Sequence, residues 1–283
     1  MGRIVYVHGQ FLPEEEARIG LFDRGFLFGD AVYEVTAVIG GRMIDNDLHL
    51  GRLERSLREL AIPLALSRRE IAGVQAELIA RNGLRDGTVY LQVSRGEADR
   101  DFLYSDALVP RFVGFTQAKT LTGTKAQQDG ISVDLADDPR WSRRDIKTAM
   151  LLGQVMAKQA ARARGFDDVW LVENGLVTEG ASSTAHVITG DGRILTRAAS
   201  RATLPGCTQR ALALLCAAEG LAIEERPFAP HEAQGAAEAF QTSASSLVMP
   251  VVRIGDRVVG NGKPGPMTRK LQALYLEAAG VPV

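Results

Sequence analysis

Cysteine is almost missing from this chain. Cys207 and Cys216 are the two among 283 residues, too few for a disulfide framework or a cysteine-built zinc site. Lysine is scarce too: Lys119, Lys125, Lys147, Lys158, Lys263 and Lys270 stand against a large excess of arginine. Amine chemistry needs a lysine, whose pKa can be lowered, whereas arginine stays charged, so the candidate catalytic amines are few. No run of about 18 uncharged apolar residues occurs, and no membrane-spanning helix is expected. Residues 1–11 alternate instead of forming a long apolar core, which argues against a secretory signal peptide and makes the cytoplasm the default location. A net charge of −1 leaves no electrostatic footprint for nucleic acid or an anionic membrane. His8, His49, His186 and His231 lack HExxH spacing. A GxSxG elbow, a glycine-rich dinucleotide fingerprint and a Walker motif are all absent.

What is present is an ordinary globular mixture, 46% hydrophobic and 24% charged. The length suits one large domain or two ordinary ones. Ile4 to Val7 reads as a short strand. Ala31 to Ile39 reads as a longer one, closed by Gly40-Gly41 before Arg42-Met43-Ile44, a hairpin signature. Asp47 opens a predicted helix with Leu50, Leu53, Leu57 and Leu60 on one face, ended by Pro63. Ser67 starts a second, with Ile71, Val74, Leu78 and Ile79, stopped by Gly83. Thr88 to Ser94 and Arg111 to Thr116 are predicted strands. Residues 119–130 are polar and form a candidate linker between a small N-terminal α+β domain, 1–118, and a larger C-terminal α+β domain, 131–283. In the second domain a helix is expected over Thr148 to Arg164, with Leu152, Val155, Met156, Gln159 and Ala163 sharing a face. Asn174-Gly175 and Gly190-Asp191-Gly192 mark two hairpins. Further helices are expected over Cys207 to Gly220 and Pro266 to Ala279. Strands cluster beside helices without regular βαβ alternation, which predicts an α+β fold in two domains.

Lys147 is placed at the start of the predicted Thr148 helix, behind Arg143-Arg144. Positive neighbours favour a neutral, nucleophilic amine, although a lysine in such a place is more commonly a solvated one. Glu179 ends a strand and precedes Gly180 and the hydroxyl run Ser182-Ser183-Thr184; such a carboxylate could hold a protonated ring nitrogen or simply be solvated. Leu204-Pro205-Gly206-Cys207-Thr208 leads into a helix, where backbone N–H groups and a threonine hydroxyl could seat a phosphate or make a plain capped turn. Thr242-Ser243-Ala244-Ser245-Ser246 is a second hydroxyl-rich loop that could close the same seat. Arg52 lies off its helix's leucine stripe, as a phosphate partner or as a solvated residue. Together an amine, an acid for a ring nitrogen and an anion seat are the requirements of pyridoxal phosphate.

In Asp23-Arg24-Gly25-Phe26-Leu27-Phe28-Gly29-Asp30-Ala31-Val32-Tyr33-Glu34-Val35, Leu50-Gly51-Arg52-Leu53, Asp145-Ile146-Lys147, Val177-Thr178-Glu179-Gly180-Ala181-Ser182-Ser183, the Leu204 to Thr208 loop and Thr268-Arg269-Lys270-Leu271, the chain resembles the fold-type IV pyridoxal-phosphate enzymes. The likeness is greatest to the D-amino acid transaminases and runs over nearly the whole chain. It implies pyridoxal 5'-phosphate as cofactor and ping-pong exchange of an amino group between a D-amino acid, such as D-alanine, and a 2-oxo acid. It also implies a homodimer with the active site between the two domains. Lys147 would carry the cofactor as a Schiff base and move protons at the substrate α-carbon. Glu179 would hold the pyridine nitrogen, and Leu204 would pack on the ring. Arg52, Thr208 and the backbone around Cys207 and Ala244 would bind the phosphate. Tyr33 would face the substrate, and Arg100 would take its α-carboxylate.

The departures from the resemblance fall on the substrate side. D-amino acid transaminases commonly follow the carboxylate-binding arginine, two residues later, with a histidine. Here Arg100 is followed by Phe102. Thr36 and Ala37 stand where the family more often has valine and lysine, and Ala244 where a threonine is usual. An (R)-amine or branched-chain aminotransferase, or an aminodeoxychorismate lyase, is the alternative on the same scaffold. A protein that merely binds a phosphorylated ligand is the remote one. Arg100 could also simply pair with Glu97, Asp99 or Asp101.

Overall fold

A computed structural model describes residues 2–281. The chain forms two compact units, Met1–Thr120 with Ile146–Leu151, and Leu121–Asp145 with Leu152–Val283. Both mix strands and helices, so the fold is α+β. Among the described residues no helix is long and apolar enough to cross a membrane.

The first unit contains β1 (Ile4–Val7), β2 (Gln10–Pro13), α1 (Arg24–Phe28), β3 (Ala31–Ile39), β4 (Arg42–Met43), α2 (Asn46–Glu59), α3 (Arg68–Arg81), β5 (Gly87–Ser94) and β6 (Arg111–Ala118). Its sheet runs β2-β1-β6-β5-β3-β4 and is antiparallel throughout. The β3–β4 turn is Gly40-Gly41 at φ 57° and 79°, the left-handed pair that a two-residue hairpin requires. Alternation along β3 sorts its side chains. Val32 and Val38 join Leu50, Leu53 and Leu57 of α2 and Ile71 and Leu78 of α3 in one apolar cluster. Each fully buried leucine there contributes about 1.5–3 kcal/mol. The predicted α2 stripe is therefore the packed one, and the Ser67–Glu70 capping box fixes the start of α3.

The second unit contains α4 (Lys125–Asp129), β7 (Ile131–Asp137), α5 (Leu152–Ala163), β8 (Asp168–Glu173), β9 (Leu176–Gly180), β10 (Thr184–Ile188), β11 (Ile194–Thr196), α6 (Cys207–Ala218), β12 (Ile223–Glu225), α7 (Pro230–Gln234), β13 (Glu238–Ser243), β14 (Leu247–Ile254), β15 (Arg257–Val258) and α8 (Pro266–Ala278). The sheet runs β12-β11-β10-β13-β14-β7-β8-β9, with β15 beside β14. β7 is parallel to both its neighbours, and the remaining pairs are antiparallel apart from β11–β12. Asn174-Gly175 turns β8 into β9 with both residues at positive φ, as the sequence predicts. The β13–β14 hairpin, missed by the sequence reading, is set by the five paired positions from Ala239↔Val251 to Ser243↔Leu247.

Two expectations are corrected. Residues 119–130 are no bare linker: they carry α4, whose Thr124–Gln127 capping box and buried Leu121 and Gln127 anchor the stretch from Leu121 onward in the second unit. The helix expected from Thr148 begins only at Leu152, because residues 146–149 are extended along β3. There Lys147 C=O accepts from Tyr33 N–H at 3.0 Å, and Ala149 N–H donates to Ala31 C=O at 2.9 Å. The face expected of α5 does form, and it points outward. Leu152, Val155 and Met156 are exposed, while Ala157 and Ala161 pack against Val169 and Leu171. Small alanine side chains let the helix lie close on the sheet, which leaves the large ones on its far side.

Candidate active site

Lys147 belongs to the first unit. Its Nζ lies 3.2 Å from the Tyr33 hydroxyl and 4.2 Å from that ring's centroid, and its backbone N–H reaches Ser56 Oγ at 3.3 Å. Tyr33 stacks on Tyr90, and Tyr90 on Phe115, at centroid distances of 5.4 and 4.7 Å. This row of rings fixes the phenol beside the amine. Burial pushes the Tyr90 hydroxyl well above the phenol range, so it stays protonated and donates to Gln92 Oε1 at 2.7 Å. Arg143 and Arg144, expected to act as positive neighbours of Lys147, are themselves matched by carboxylates, Asp145 at 3.0 Å and Glu173 at 2.6 Å.

Glu34 follows Tyr33 and therefore projects from the other face of β3. It is buried and takes Arg52 in a fork, Nε to Oε1 at 2.7 Å and Nη2 to Oε2 at 2.8 Å, with His49 Nδ1 2.8 Å from Oε2. Arg52 is thus buried, held by an acid the sequence reading did not single out. Thr36 shares this inward face and hydrogen-bonds Asn46 and Gln75, so its departure from the family pattern is a change in the core. Ala37, one residue on, lies on the Tyr33 face.

Arg100 sits exposed in the loop after β5, its guanidinium 5.5 Å from the Phe28 ring centroid and 5.7 Å from that of Phe102. Among the described residues it has no carboxylate partner. Glu97 turns to Arg111 at 3.3 Å, and Asp101 Oδ1 accepts from Leu103 N–H. Arg24 and Arg95 anchor that loop. Both grip Asp30, and Arg24 also donates to Asp101 C=O at 2.7 Å. Burial opposes ionisation of Asp30, but Arg95 and Arg24 overcome it and hold the carboxyl below its usual range. Tyr104, from the same loop, lies under Arg95 at 3.8 Å.

In the second unit Glu179 is buried on β9. Leu204 N–H donates to both its oxygens at 3.1 and 3.2 Å, and Arg140 Nη1 reaches Oε1 at 2.5 Å. Burial pushes the Glu179 carboxyl upward, against the pull of Arg140 and of the Leu204 amide. Leu204 is therefore brought to Glu179 through its backbone, across 25 residues of chain. Arg140, which the sequence reading missed, is one of many arginines. The pairing of β7 with β8 and of β8 with β9 is what brings it to the acid.

The residues expected to seat an anion gather at one end of the same sheet. α6 begins at Cys207, with Gly206 as an N-cap that has no side-chain acceptor for the first-turn N–H groups. Thr208 is therefore the helix's second residue, not its cap. A Cβ on Gly206 would lie 2.6 Å from Thr184 Oγ1, so only glycine lets the helix start so close to β10. Thr184 pairs with Thr242, which puts the Ser243-Ala244-Ser245-Ser246 turn beside it. In that turn Ser243 Oγ meets Ser246 Oγ at 2.7 Å. Ser183 Oγ is buried without a hydrogen-bond partner. Uncapped helix donors beside a cradle that only glycine leaves open are what a phosphate dianion would satisfy, so these residues fit a phosphorylated cofactor. Among the described residues no group of three or more His, Cys, Asp or Glu could hold a metal.

Residues 31–254 match the model of the amino-transferase class IV family. The chain is 38% identical to a D-alanine aminotransferase of Bacillus licheniformis over 268 residues, 95% of this chain and 94% of that one. Its fold superposes on the branched-chain amino acid aminotransferase of Escherichia coli with a TM-score of 0.92 at 19% identity, covering 98% of this chain and 94% of that one. A hypothetical aminotransferase from Mycobacterium tuberculosis, in its PLP-bound form, superposes with a TM-score of 0.84 at 23% identity, covering 97% of this chain and 98% of that one.

The buried Glu34 carries a pH signature. Burial would raise its carboxyl, but Arg52 and His49 hold it at about 2, against an ordinary 4.5. Between those values the unfolded chain binds the extra proton, so stability rises with pH across the window and is lost as pH falls through it. Glu34→Gln removes the charge of the acid that takes Arg52 in a fork and is expected to cost about 3 kcal/mol at neutral pH. Urea midpoints measured from about pH 3 to about pH 6 should rise less steeply for the variant than for the wild type. Parallel curves would show that another group carries the dependence.

Proposed function

The chain belongs to the class IV aminotransferases and is a pyridoxal-phosphate-dependent transaminase, and we propose that it exchanges an amino group between a D-amino acid, D-alanine foremost, and a 2-oxo acid. The D-alanine aminotransferase relative supports the substrate class. The observation that carries the catalytic reading is the Lys147 amine, 3.2 Å from the Tyr33 hydroxyl on a segment tied to β3. Bound pyridoxal phosphate supplies an electron sink that makes the α-proton of an amino acid labile. In this proposal Lys147 is the attachment amine and then the base and acid at the α-carbon. Tyr33 accepts a hydrogen bond from it and keeps it oriented, while facing the substrate. Glu179 holds the ring nitrogen and Leu204 packs on the ring. Thr208 and the backbone at Cys207 and Ala244 receive the phosphate at the start of α6 and in the turn after β13. Arg52 is assigned to the phosphate on the family likeness alone.

The decisive experiment follows the absorbance of the yellow enzyme mixed separately with D-alanine and L-alanine. D-alanine alone should convert it to the pyridoxamine form, and Lys147→Ala should abolish both the conversion and the borohydride-reducible link. Conversion by L-alanine instead, or a reducible link on another lysine, would overturn the reading.

Arg100 is proposed to bind the substrate α-carboxylate, and its lack of a carboxylate partner among the described residues supports this. Phe102 supplies no second donor. The loss of one charged hydrogen bond is worth about 1.5–3 kcal/mol, roughly tenfold to a hundredfold in affinity. A high Michaelis constant for D-amino acids is expected, with tolerance for (R)-amines. Arg100→Ala should impair D-alanine and spare a carboxylate-free (R)-amine; equal losses on both would remove Arg100 from the substrate site.

We further propose that the working enzyme is a homodimer in the cytoplasm. The outward stripe of Leu152, Val155 and Met156 is an apolar surface of the kind that protein contacts cover. Sedimentation equilibrium should give twice the chain mass, and Met156→Arg should shift it toward a single chain. A wild-type enzyme that sediments as a single chain would refute the dimer.

A further inference from the structure

Glu179 does not meet the ring nitrogen as an isolated acid. Arg140 donates to Asp138 through Nε at 2.9 Å and Nη2 at 2.7 Å, and to Glu179 through Nη1 at 2.5 Å. All three side chains are buried. Thr178, the residue before Glu179, donates from Oγ1 to Asp138 Oδ2 at 2.8 Å and so locks the far end. The other charged groups facing this row are Arg144, 3.5 Å from Asp138, and Glu173, which takes Arg144 in a fork. Charge alternates along the row: Asp138 negative, Arg140 positive, Glu179 negative.

We propose that Arg140 is a positioning residue that places the shared proton on the cofactor's ring nitrogen instead of on Glu179. The inference rests on the pyridoxal-phosphate reading above. When the ring nitrogen meets a buried carboxyl, one proton can sit on either partner. Carboxylate with pyridinium and carboxylic acid with neutral pyridine contain the same atoms and the same total charge. Burial by itself favours the neutral arrangement. Arg140 decides against it, because its guanidinium touches the carboxylate but lies one group further from the nitrogen. Its attraction to the ionised acid exceeds its repulsion of the ring cation. The Nη1 contact also fixes Oε1, so the carboxylate presents one constant edge. Asp138 holds the guanidinium by two bonds and balances its charge.

The test uses the holoenzyme loaded with pyridoxal phosphate that is isotope-labelled at the ring nitrogen. Protonation moves that nitrogen's resonance upfield, so the readout reports the proton directly and does not depend on the amino donor. The wild type should show pyridinium, and Glu179→Gln sets the neutral-pyridine position. Arg140→Met should move the resonance most of the way to that position and slow the half-reaction about tenfold or more. Arg140→Lys keeps the charge and should leave the resonance near that of the wild type. If Arg140→Met fails to fold because Asp138 is stranded, the double variant Asp138→Asn with Arg140→Met removes both charges and should show the same shift. A wild-type nitrogen already neutral, or a pyridinium resonance unmoved in the Met variants, would overturn the proposal and leave the transaminase reading standing. Failure of the wild type to bind pyridoxal phosphate would instead sink that reading.

Discussion

A carboxylate without water needs a cation, and the second unit is organised around meeting that need at Glu179. The acid sits on β9, its main contact comes from Arg140 just beyond β7, and the Leu204 amide arrives from the loop before α6. Three distant stretches of chain are thereby pinned to one side chain. Burying an ion pair is costly unless its hydrogen bonds are complete. Here Asp138, Arg140, Thr178 and Leu204 complete them, and the strands β7, β8 and β9 supply a rigid frame. A preorganised charge of this kind does not have to reorient when a ligand binds.

The first unit solves the same problem with a different pair. Glu34 and Arg52 bridge β3 and α2, with His49 beside them, on the face of β3 opposite Tyr33. One strand thus has a face that carries the buried ion pair and a face that carries Tyr33, separated by a single residue. Tyr33 and the extended segment carrying Lys147 lie along the same strand, so the amine and the phenol inherit the rigidity of the sheet. A lysine at a helix start would have had more freedom than one held by strand-like backbone bonds on either side.

The proposed phosphate seat depends on the absence of side chains as much as on their presence. Gly206 caps α6 without offering an acceptor, and its missing Cβ makes room for Thr184. Ala244 leaves the turn after β13 without a side-chain hydroxyl at that position.

Elements with local signals were legible in the chain before any contact was known. The leucine stripe of α2, the helix start at Ser67 and the Asn174-Gly175 hairpin follow from periodicity, capping and backbone handedness, and each forms as the pattern predicts. The residues quoted for the family likeness were also legible, because order and spacing survive in the chain. What those residues touch was settled by long-range packing. The α5 stripe reads as one helix face, but apolar spacing does not say which neighbour covers it, and it is the alanines that pack inward, because the sheet beneath accepts a close helix. Residues 119–130 read as linker because the stretch is polar, yet a capping box and two buried side chains anchor it. Arg52 and Arg140 are two arginines among many, and nothing in their spacing tells a solvated guanidinium from one held by a buried acid. Ion pairs form between residues far apart in sequence, so their partners become visible only when the strands have set their register.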